Sequence, residues 1–202
     1  MYNIQLIRGD DMERIDLNDK LLHGIMVTRS HNDEIDVDRK IRKLESILSS
    51  GYLYCLNSFV EKDIDNVFKP FAFSEFWNDH STVSLSVVKE SKYSHCGSYI
   101  GNDAFDEWTN KTFYLIFCDQ LFNDFFVEKG FFQNEYYLTG NIPIDKYLVG
   151  IGNVKVDIFK KELYYEKLRL LALKYNIKLF DSNGFLIDND VEENIKKLSI
   201  II

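Results

Sequence analysis

Two short stretches of the chain place polar side chains where a strand would present them together. Ser84 and Ser86 alternate with apolar residues in TVSLSVV, and Gln133 and Glu135 stand two apart at the start of QNEYYL. Because residues two apart on an extended strand project from the same face, the members of each pair share a face. The alternation of Val83, Leu85 and Val87 with the serines predicts a half-buried strand with Ser84 and Ser86 on its exposed face. A carboxylate on a rigid strand can stabilise positive charge that develops during a reaction, and neighbouring polar groups can orient it.

A third polar feature, His23-Gly24, interrupts the apolar run KLLHGIMVTR. A histidine in such a run is more often a packed or edge residue than part of a site. A glycine inside a strand often marks the close approach of a ligand or of another backbone. Taken alone, each of the three features is at least as typical of an ordinary strand as of a functional site.

The strands that would carry these residues are predicted from apolar runs and alternation. Residues 119–130 are predicted as a short helix or turn, and residues 177–187 as a strand, a turn at 182–184 and a short return. The predicted strands cover residues 20–29, 81–90, 111–118, about 132–140 and 146–152, the last two joined by the polar turn GNIPID.

Two helices frame the predicted strands. Apolar residues at helical spacing predict a helix over about 37–50 that ends at Gly51, preceded by a polar connection over 30–36 and followed by a short strand. The clearest helical pattern covers residues 157–176. Helices early and late with strands between them predict an α+β fold with a mixed or antiparallel sheet, not a regular βαβ succession.

Length and composition set the expected domain organisation. The chain has 202 residues, of which 46% are hydrophobic and 15% aromatic, enough to bury a large apolar core. It contains two prolines and no Gly/Ser-rich linker. We therefore predict a single domain over residues 1–202.

The net charge and the cysteine content limit which binding partners and which cellular location we expect for the protein. The net charge of −8 at pH 7 repels phosphate backbones and argues against non-specific nucleic-acid binding. Three widely spaced cysteines without a CxxC motif suggest neither a disulfide framework nor a structural zinc site, and indicate a reducing compartment. No stretch predicts a cleaved signal peptide or a membrane span. We expect a protein without membrane contact, cytoplasmic or delivered into a host or target cell without a cleaved signal.

Read in order, these features resemble the ADP-ribosyltransferase superfamily, which includes bacterial NAD-using toxins and effectors. LLHGI is similar to the HGT-type first strand, and KLESILSSGYL resembles the I-L-x-x-G-L helix that follows it. VSLS resembles the Ser-x-Ser strand, and QNEYYLTGNIPIDKYLVGI resembles the catalytic glutamate strand and its return. The resemblance spans about 20–152 and implies a split, two-sheet core there. Residues 153–202 lie outside the resemblance, and we predict them as a C-terminal helix and strand extension.

The resemblance implies a catalytic group of three residues. Glu135 would hydrogen-bond the 2′-hydroxyl of the nicotinamide ribose and stabilise positive charge as the glycosidic bond breaks. Ser84 would steady Glu135. Gln133 would orient the acceptor, and a glutamine at this position implies an acceptor other than arginine.

The resemblance also implies a set of residues that bind NAD as co-substrate. His23 would hydrogen-bond the adenosine ribose, the backbone of Gly24 would hold the nicotinamide carboxamide, and Ser86 belongs to the same set. The chain mixes two branches of the family: His23 fits the His-Tyr-Glu branch, whereas Ser84 and Gln133-x-Glu135 fit the Arg-Ser-Glu branch. Either His23 or Arg29 would therefore contact the adenosine side. Either Tyr93 or Tyr99 would stack on nicotinamide.

The implied function is a mono-ADP-ribosyltransferase that transfers ADP-ribose from NAD to an acceptor, expected to be a protein side chain, and releases nicotinamide. The alternative is a catalytically inactive protein of the same fold that binds a partner. The related phosphotransferases that act on tRNA need several basic residues to bind phosphates. The net negative charge of the chain does not favour that activity.

Two unrelated enzyme classes receive less support from the residues. A metal site built from His31, His80, His95 and Cys96 matches no structural zinc spacing, so no metal is expected. A cysteine hydrolase built on Cys96 or Cys118 has no local motif in its favour, although such triads are assembled in space.

Overall fold

A computed structural model describes the chain over most of its central elements. The described residues are 13–17, 20–25, 33–55, 58, 81–87, 113–130, 135–152, 162–181 and 183–187. Within them a mainly antiparallel sheet is flanked by few helices, which confirms the predicted α+β class.

Strands dominate the element order. The strands are β1 (Leu21–Gly24), β2 (Tyr52–Leu53), β3 (Thr82–Val87), β4 (Tyr114–Phe117), β5 (Val127–Lys129), β6 (Glu135–Thr139), β7 (Ile142–Pro143) and β8 (Leu148–Gly152). The helices are α1 (Asp33–Ser50), α2 (Leu121–Asp124), α3 (Ile144–Tyr147) and α4 (Glu162–Lys174).

The strands in the described ranges form two sheets. The larger has six strands in the order β5-β6-β3-β1-β4-β8, and each neighbouring pair is antiparallel. The smaller pairs β2 with β7, also antiparallel. The main core contains apolar side chains from one face of the large sheet and from α1 and α4, among them Leu21, Leu85, Leu115, Leu138, Leu44 and Leu168.

Strand β3 follows the predicted alternation on its apolar side. Val83, Leu85 and Val87 are buried in the main core, which confirms that part of the prediction. Ser84 is exposed, as expected, but Ser86 is only 8% exposed, so its predicted exposure is wrong. The reason is position in the sheet, because Ser86 is flanked by Leu22 of β1 and Glu135 of β6.

The first helix ends where predicted and begins earlier. Gly51 follows α1 with a φ of 75°, a left-handed conformation that glycine adopts without steric cost and that commonly terminates helices. The polar connection predicted over 30–36 is wrong in its second half, because α1 starts at Asp33.

The late helix, α4, packs parallel to α1. Its inward residues Leu168, Leu171 and Ala172 are buried, as their spacing predicts. Lys167 pairs with Asp38 at 2.5 Å and Lys174 with Glu45 at 2.8 Å. Both partners advance by seven positions between the two ion pairs, so the helices run in the same direction. Residues 157–161, the predicted start of this helix, lie outside the described residues.

Two strand predictions are wrong in the region of Glu135. Residues 127–129, predicted as part of a helix or turn, form β5 and pair with β6. The polar turn predicted at GNIPID is also wrong, because these residues contain β7 and the start of α3. Strand β6 pairs with β3 and β5, whereas β8 pairs with β4 at the far side of the sheet.

The segment after α4 completes the second face of the large sheet. The amide of Phe180 donates to the carbonyl of Ile151 in β8, and Phe180 pairs with Leu186, which confirms the predicted strand and return. Phe180 is fully buried against Gly150, where an added Cβ would lie 2.6 Å from its ring. The turn is closed by Asp181 Oδ1, which accepts hydrogen bonds from the amides of Asn183 and Phe185.

None of the helices in the described part of the chain has the length and apolar character needed to cross a membrane.

The packing of Phe180 gives a stability prediction. Phe180→Ala should lower the free energy of unfolding by about 3–5 kcal/mol, because it removes a fully buried ring and leaves a cavity. Phe126→Ala is the matched control: Phe126 is 69% exposed, so the change should stay within about 0.5 kcal/mol. Urea unfolding of both variants measures the difference, and equal effects would contradict the described packing.

Candidate active site

The order of strands brings the three polar sequence features together. His23 and Gly24 lie on β1, Ser84 and Ser86 on β3, and Glu135 at the start of β6. Strand β3 lies between β1 and β6 in the sheet. Residues that are distant in the chain therefore occupy three adjacent strands.

The carboxylate of Glu135 accepts hydrogen bonds at both oxygens. The hydroxyl of Ser84 donates to Oε1 at 2.6 Å, and the hydroxyl of Tyr137 donates to Oε2 at 3.1 Å. Ser84 stands opposite Tyr137 in the register of β3 and β6, so the three side chains share one face. Ser84 is exposed and Glu135 and Tyr137 are partly buried, so a ligand has access to this face.

The position of the Glu135 side chain also depends on Gly130, the residue that follows the neighbouring strand β5. The amide of Gly130 donates to the carbonyl of Glu135 at 2.8 Å, which joins the end of β5 to the start of β6. A Cβ at position 130 would lie 2.6 Å from Cγ and 2.9 Å from Oε2 of Glu135. Any side chain at position 130 would therefore displace the glutamate.

The sheet opens between β1 and β3 beside His23. The pairing of these strands ends at Leu22, which faces Ser86, whereas β1 stays paired with β4 through Gly24. Continuation of the register would place Gly24 opposite Ser84. The carbonyl of Ser84 instead accepts a hydrogen bond from Nδ1 of His23 at 2.9 Å. The imidazole thus takes the place of a ladder hydrogen bond.

The backbone of Gly24 faces this opening. The amide of Ile25 donates to the carbonyl of Phe113, the residue before β4. Backbone groups of successive strand residues point to alternate edges, so those of Gly24 point away from β4 and toward β3. A ligand in the opening would meet one N–H donor and one C=O acceptor of Gly24.

The hydrogen bond of His23 fixes its tautomer. A carbonyl oxygen can only accept, so Nδ1 carries the proton and Nε2 keeps its lone pair. Loss of hydration lowers the pKa of His23 to about 4; the hydrogen bond to Ser84 opposes this shift and the charge of Lys43 adds to it. The imidazole is therefore neutral at pH 7, and Nε2 can accept a hydrogen bond from a ligand hydroxyl.

His23 and Glu135 are linked through Ser84 and do not share a face. Alternation places His23 on the same side of β1 as Leu21, which belongs to the main core. Glu135 and the Ser84 side chain lie on the other side of the sheet. Ser84 joins the two, because its carbonyl accepts from His23 and its hydroxyl donates to Glu135.

A buried lysine of α1, Lys43, acts electrostatically on His23. Lys43 is 7% exposed, and burial lowers its pKa to about 8. Lys43 lies on the same face of α1 as Ile47, which is four residues further along the helix. This face packs against the core. The sequence pattern did not single it out, because a lysine beside apolar residues is usually solvated at its charged end.

Four predicted site residues lie outside the described residues: Gln133, Arg29, Tyr93 and Tyr99.

Two residues that contact Glu135 were not predicted. The alternation of QNEYYL carries a signal for Tyr137, which stands two residues after Glu135. Gly130 carries no such signal, because its contact depends on the pairing of β5 with β6.

The residues of the two alternative enzyme classes are only partly described. This part of the chain contains no group of three or more His, Cys, Asp or Glu side chains that could hold a metal ion. Cys55 is buried and Cys118 is partly buried, and both are free thiols. His31, His80, His95 and Cys96 lie outside the described residues.

Comparison with known proteins returned no relative. No protein-family model matches the chain, and neither the curated proteins nor the solved structures gave a significant match.

The environment of His23 leads to a prediction about pH. We expect a neutral imidazole with the proton on Nδ1 at pH 6, where an exposed histidine is largely protonated. Between pH 6.5 and about 4 the unfolded chain would bind a proton that the folded chain does not, so this residue lowers stability as the pH falls through that range. Nitrogen-15 NMR of the imidazoles measures the pKa and the tautomer of His23, and the His23→Gln variant assigns its signal. A His23 pKa of 6 or higher would contradict the predicted loss of hydration around the imidazole.

Proposed function

We propose that the chain is a mono-ADP-ribosyltransferase that cleaves NAD, releases nicotinamide and transfers ADP-ribose to an acceptor, expected to be a protein side chain other than arginine. Glu135 is the catalytic carboxylate, and Ser84 holds it in place. Gln133 orients the acceptor.

One observation carries the proposal: Ser84 donates to Glu135 at 2.6 Å while its own carbonyl accepts from His23. The resemblance assigns these three residues to one site, and their two hydrogen bonds link three adjacent strands through Ser84.

The opening between β1 and β3 supports a place for the nicotinamide end of NAD. The carboxamide has one donor group and one acceptor, which complement the C=O and N–H of Gly24. Nε2 of the neutral His23 can accept a hydrogen bond from a ribose hydroxyl. Ser86 lies where the pairing of β1 with β3 ends and belongs to the proposed NAD-binding set. The set also includes Arg29 and either Tyr93 or Tyr99, which lie outside the described residues.

The chemistry requires little beyond a fixed carboxylate. Breaking the bond between ribose and nicotinamide builds oxocarbenium character on the sugar, as in glycoside hydrolysis. Glu135, with both oxygens held, offers negative charge at a fixed position and needs no reorganisation during the reaction. Nicotinamide leaves as a neutral molecule, so no general acid is needed for its departure.

The central test is nicotinamide release from NAD by the purified protein. Glu135→Gln should lower the rate by at least ~100-fold, because it removes the charge that stabilises the transition state. NAD binding, measured by calorimetry, should be retained, since the cleft and its backbone groups are unchanged.

The matched control for this variant is Glu166→Gln on α4, the same change at an exposed glutamate. This variant should release nicotinamide at the wild-type rate. Retained NAD binding without release by the wild-type protein, even with candidate acceptors present, would favour the inactive binding protein. Absence of both would sink the proposal.

Gly130→Ala is expected to impair the same reaction through geometry alone. The added methyl group would displace Glu135 from Ser84, and a misplaced catalytic group commonly costs ~10-fold or more in rate. Lys129→Ala is a suitable control, because Lys129 is exposed and opposes Tyr136 on the other face. Nicotinamide release by the two variants checks this, and a fully active Gly130→Ala protein would show that Glu135 does not need its described position.

A further inference from the structure

We propose that Tyr137 is a positioning residue for Glu135, acting through the second oxygen of the carboxylate. This inference rests on the proposed function. It adds a residue that the motif Gln133-x-Glu135 does not include.

The contact of Tyr137 complements that of Ser84. Ser84 holds Oε1 at 2.6 Å, whereas the Tyr137 hydroxyl reaches Oε2 at 3.1 Å. A single donor leaves a carboxylate able to rotate about its terminal bond, but two donors on different oxygens define its plane. The plane decides which lone pairs face a substrate, so Tyr137 sets the direction of the negative charge.

The local structure explains why Tyr137 can make this contact. Alternation along β6 places Tyr137 on the face of Glu135, and Tyr136 on the opposite face. In the register of the sheet, Tyr137 lies between Ser84 on β3 and Glu128 on β5. The phenol is partly buried there and lies beside the glutamate.

The longer of the two contacts is the one that a substrate would share. A carboxylate oxygen has two lone pairs, so Oε2 can accept from Tyr137 and from a ribose hydroxyl together. The Ser84 contact is shorter and therefore the stronger anchor. Tyr137 would affect the rate of the bound complex and have little effect on NAD affinity, because it touches the glutamate and not the ligand.

Tyr136→Phe provides an unusually close control. It removes the same hydroxyl from the neighbouring residue of the same strand. The ring of Tyr136 packs edge-on against Phe122 and lies under the ammonium group of Lys129, away from Glu135. Any general effect of removing a phenol oxygen from β6 would appear in both variants.

The experiment compares steady-state nicotinamide release by wild type, Tyr137→Phe and Tyr136→Phe. Loss of a hydrogen bond to a charged group predicts a fall in kcat of roughly tenfold or more for Tyr137→Phe, with KM for NAD within about twofold of wild type. Tyr136→Phe should keep both constants. Unchanged kcat in Tyr137→Phe, or equal losses in the two variants, would overturn the inference while leaving the proposed function intact.

A double-mutant cycle of thermal stability tests the contact between Tyr137 and Glu135 without measuring activity. Tyr137→Phe should lower Tm in the wild-type background and have a smaller effect in the Glu135→Ala background, since the acceptor is then absent. Equal shifts in Tm would overturn the contact. A wild-type protein that neither binds NAD nor releases nicotinamide would overturn the proposed function and this role of Tyr137 together.

Discussion

The antiparallel register of β3 and β6 is the constraint on which the candidate site depends. It places Ser84 opposite Tyr137 and Ser86 opposite Glu135, so that one serine and one tyrosine can reach the same carboxylate. A slip of one residue would turn Glu135 to the apolar face, because strand side chains alternate. The apolar residues of β3 and β6, such as Leu85 and Leu138, resist that slip because both are fully buried. The core therefore determines the position of the polar site.

A second constraint is the way in which β1 leaves β3. The strand keeps its pairing with β4 while His23 replaces Gly24 as the donor to the Ser84 carbonyl. The sheet gains an opening without leaving that carbonyl unpaired, which would be costly inside a protein. Burial keeps the imidazole neutral, so the group beside the opening is an acceptor and carries no charge. The proposed NAD site combines this opening with the carboxylate on the other side of Ser84.

Much of the local structure could be predicted, and the reasons for the failures are tertiary. Alternation identified β3, and helical spacing with Gly51 identified the end of α1, since both patterns depend on neighbours in the chain. Strand β5 has only three residues and no apolar alternation, so only its pairing with β6 defines it. The burial of Ser86 and the need for a glycine at position 130 arise from cross-strand partners that no local pattern contains. The resemblance selected His23, Ser84 and Glu135 together, and the roles assigned to them remain proposals.

The most direct test of the proposed NAD site is the map of backbone amide shifts when NAD is added to the isotopically labelled protein. We expect shifts centred on the end of β1, the middle of β3 and the start of β6, around Gly24, Ser84 and Glu135. This measurement needs no acceptor and no turnover, so it examines the site independently of the reaction. Saturable shifts confined to another part of the chain, or no shifts at millimolar NAD, would contradict the claim that these three strands form the NAD site.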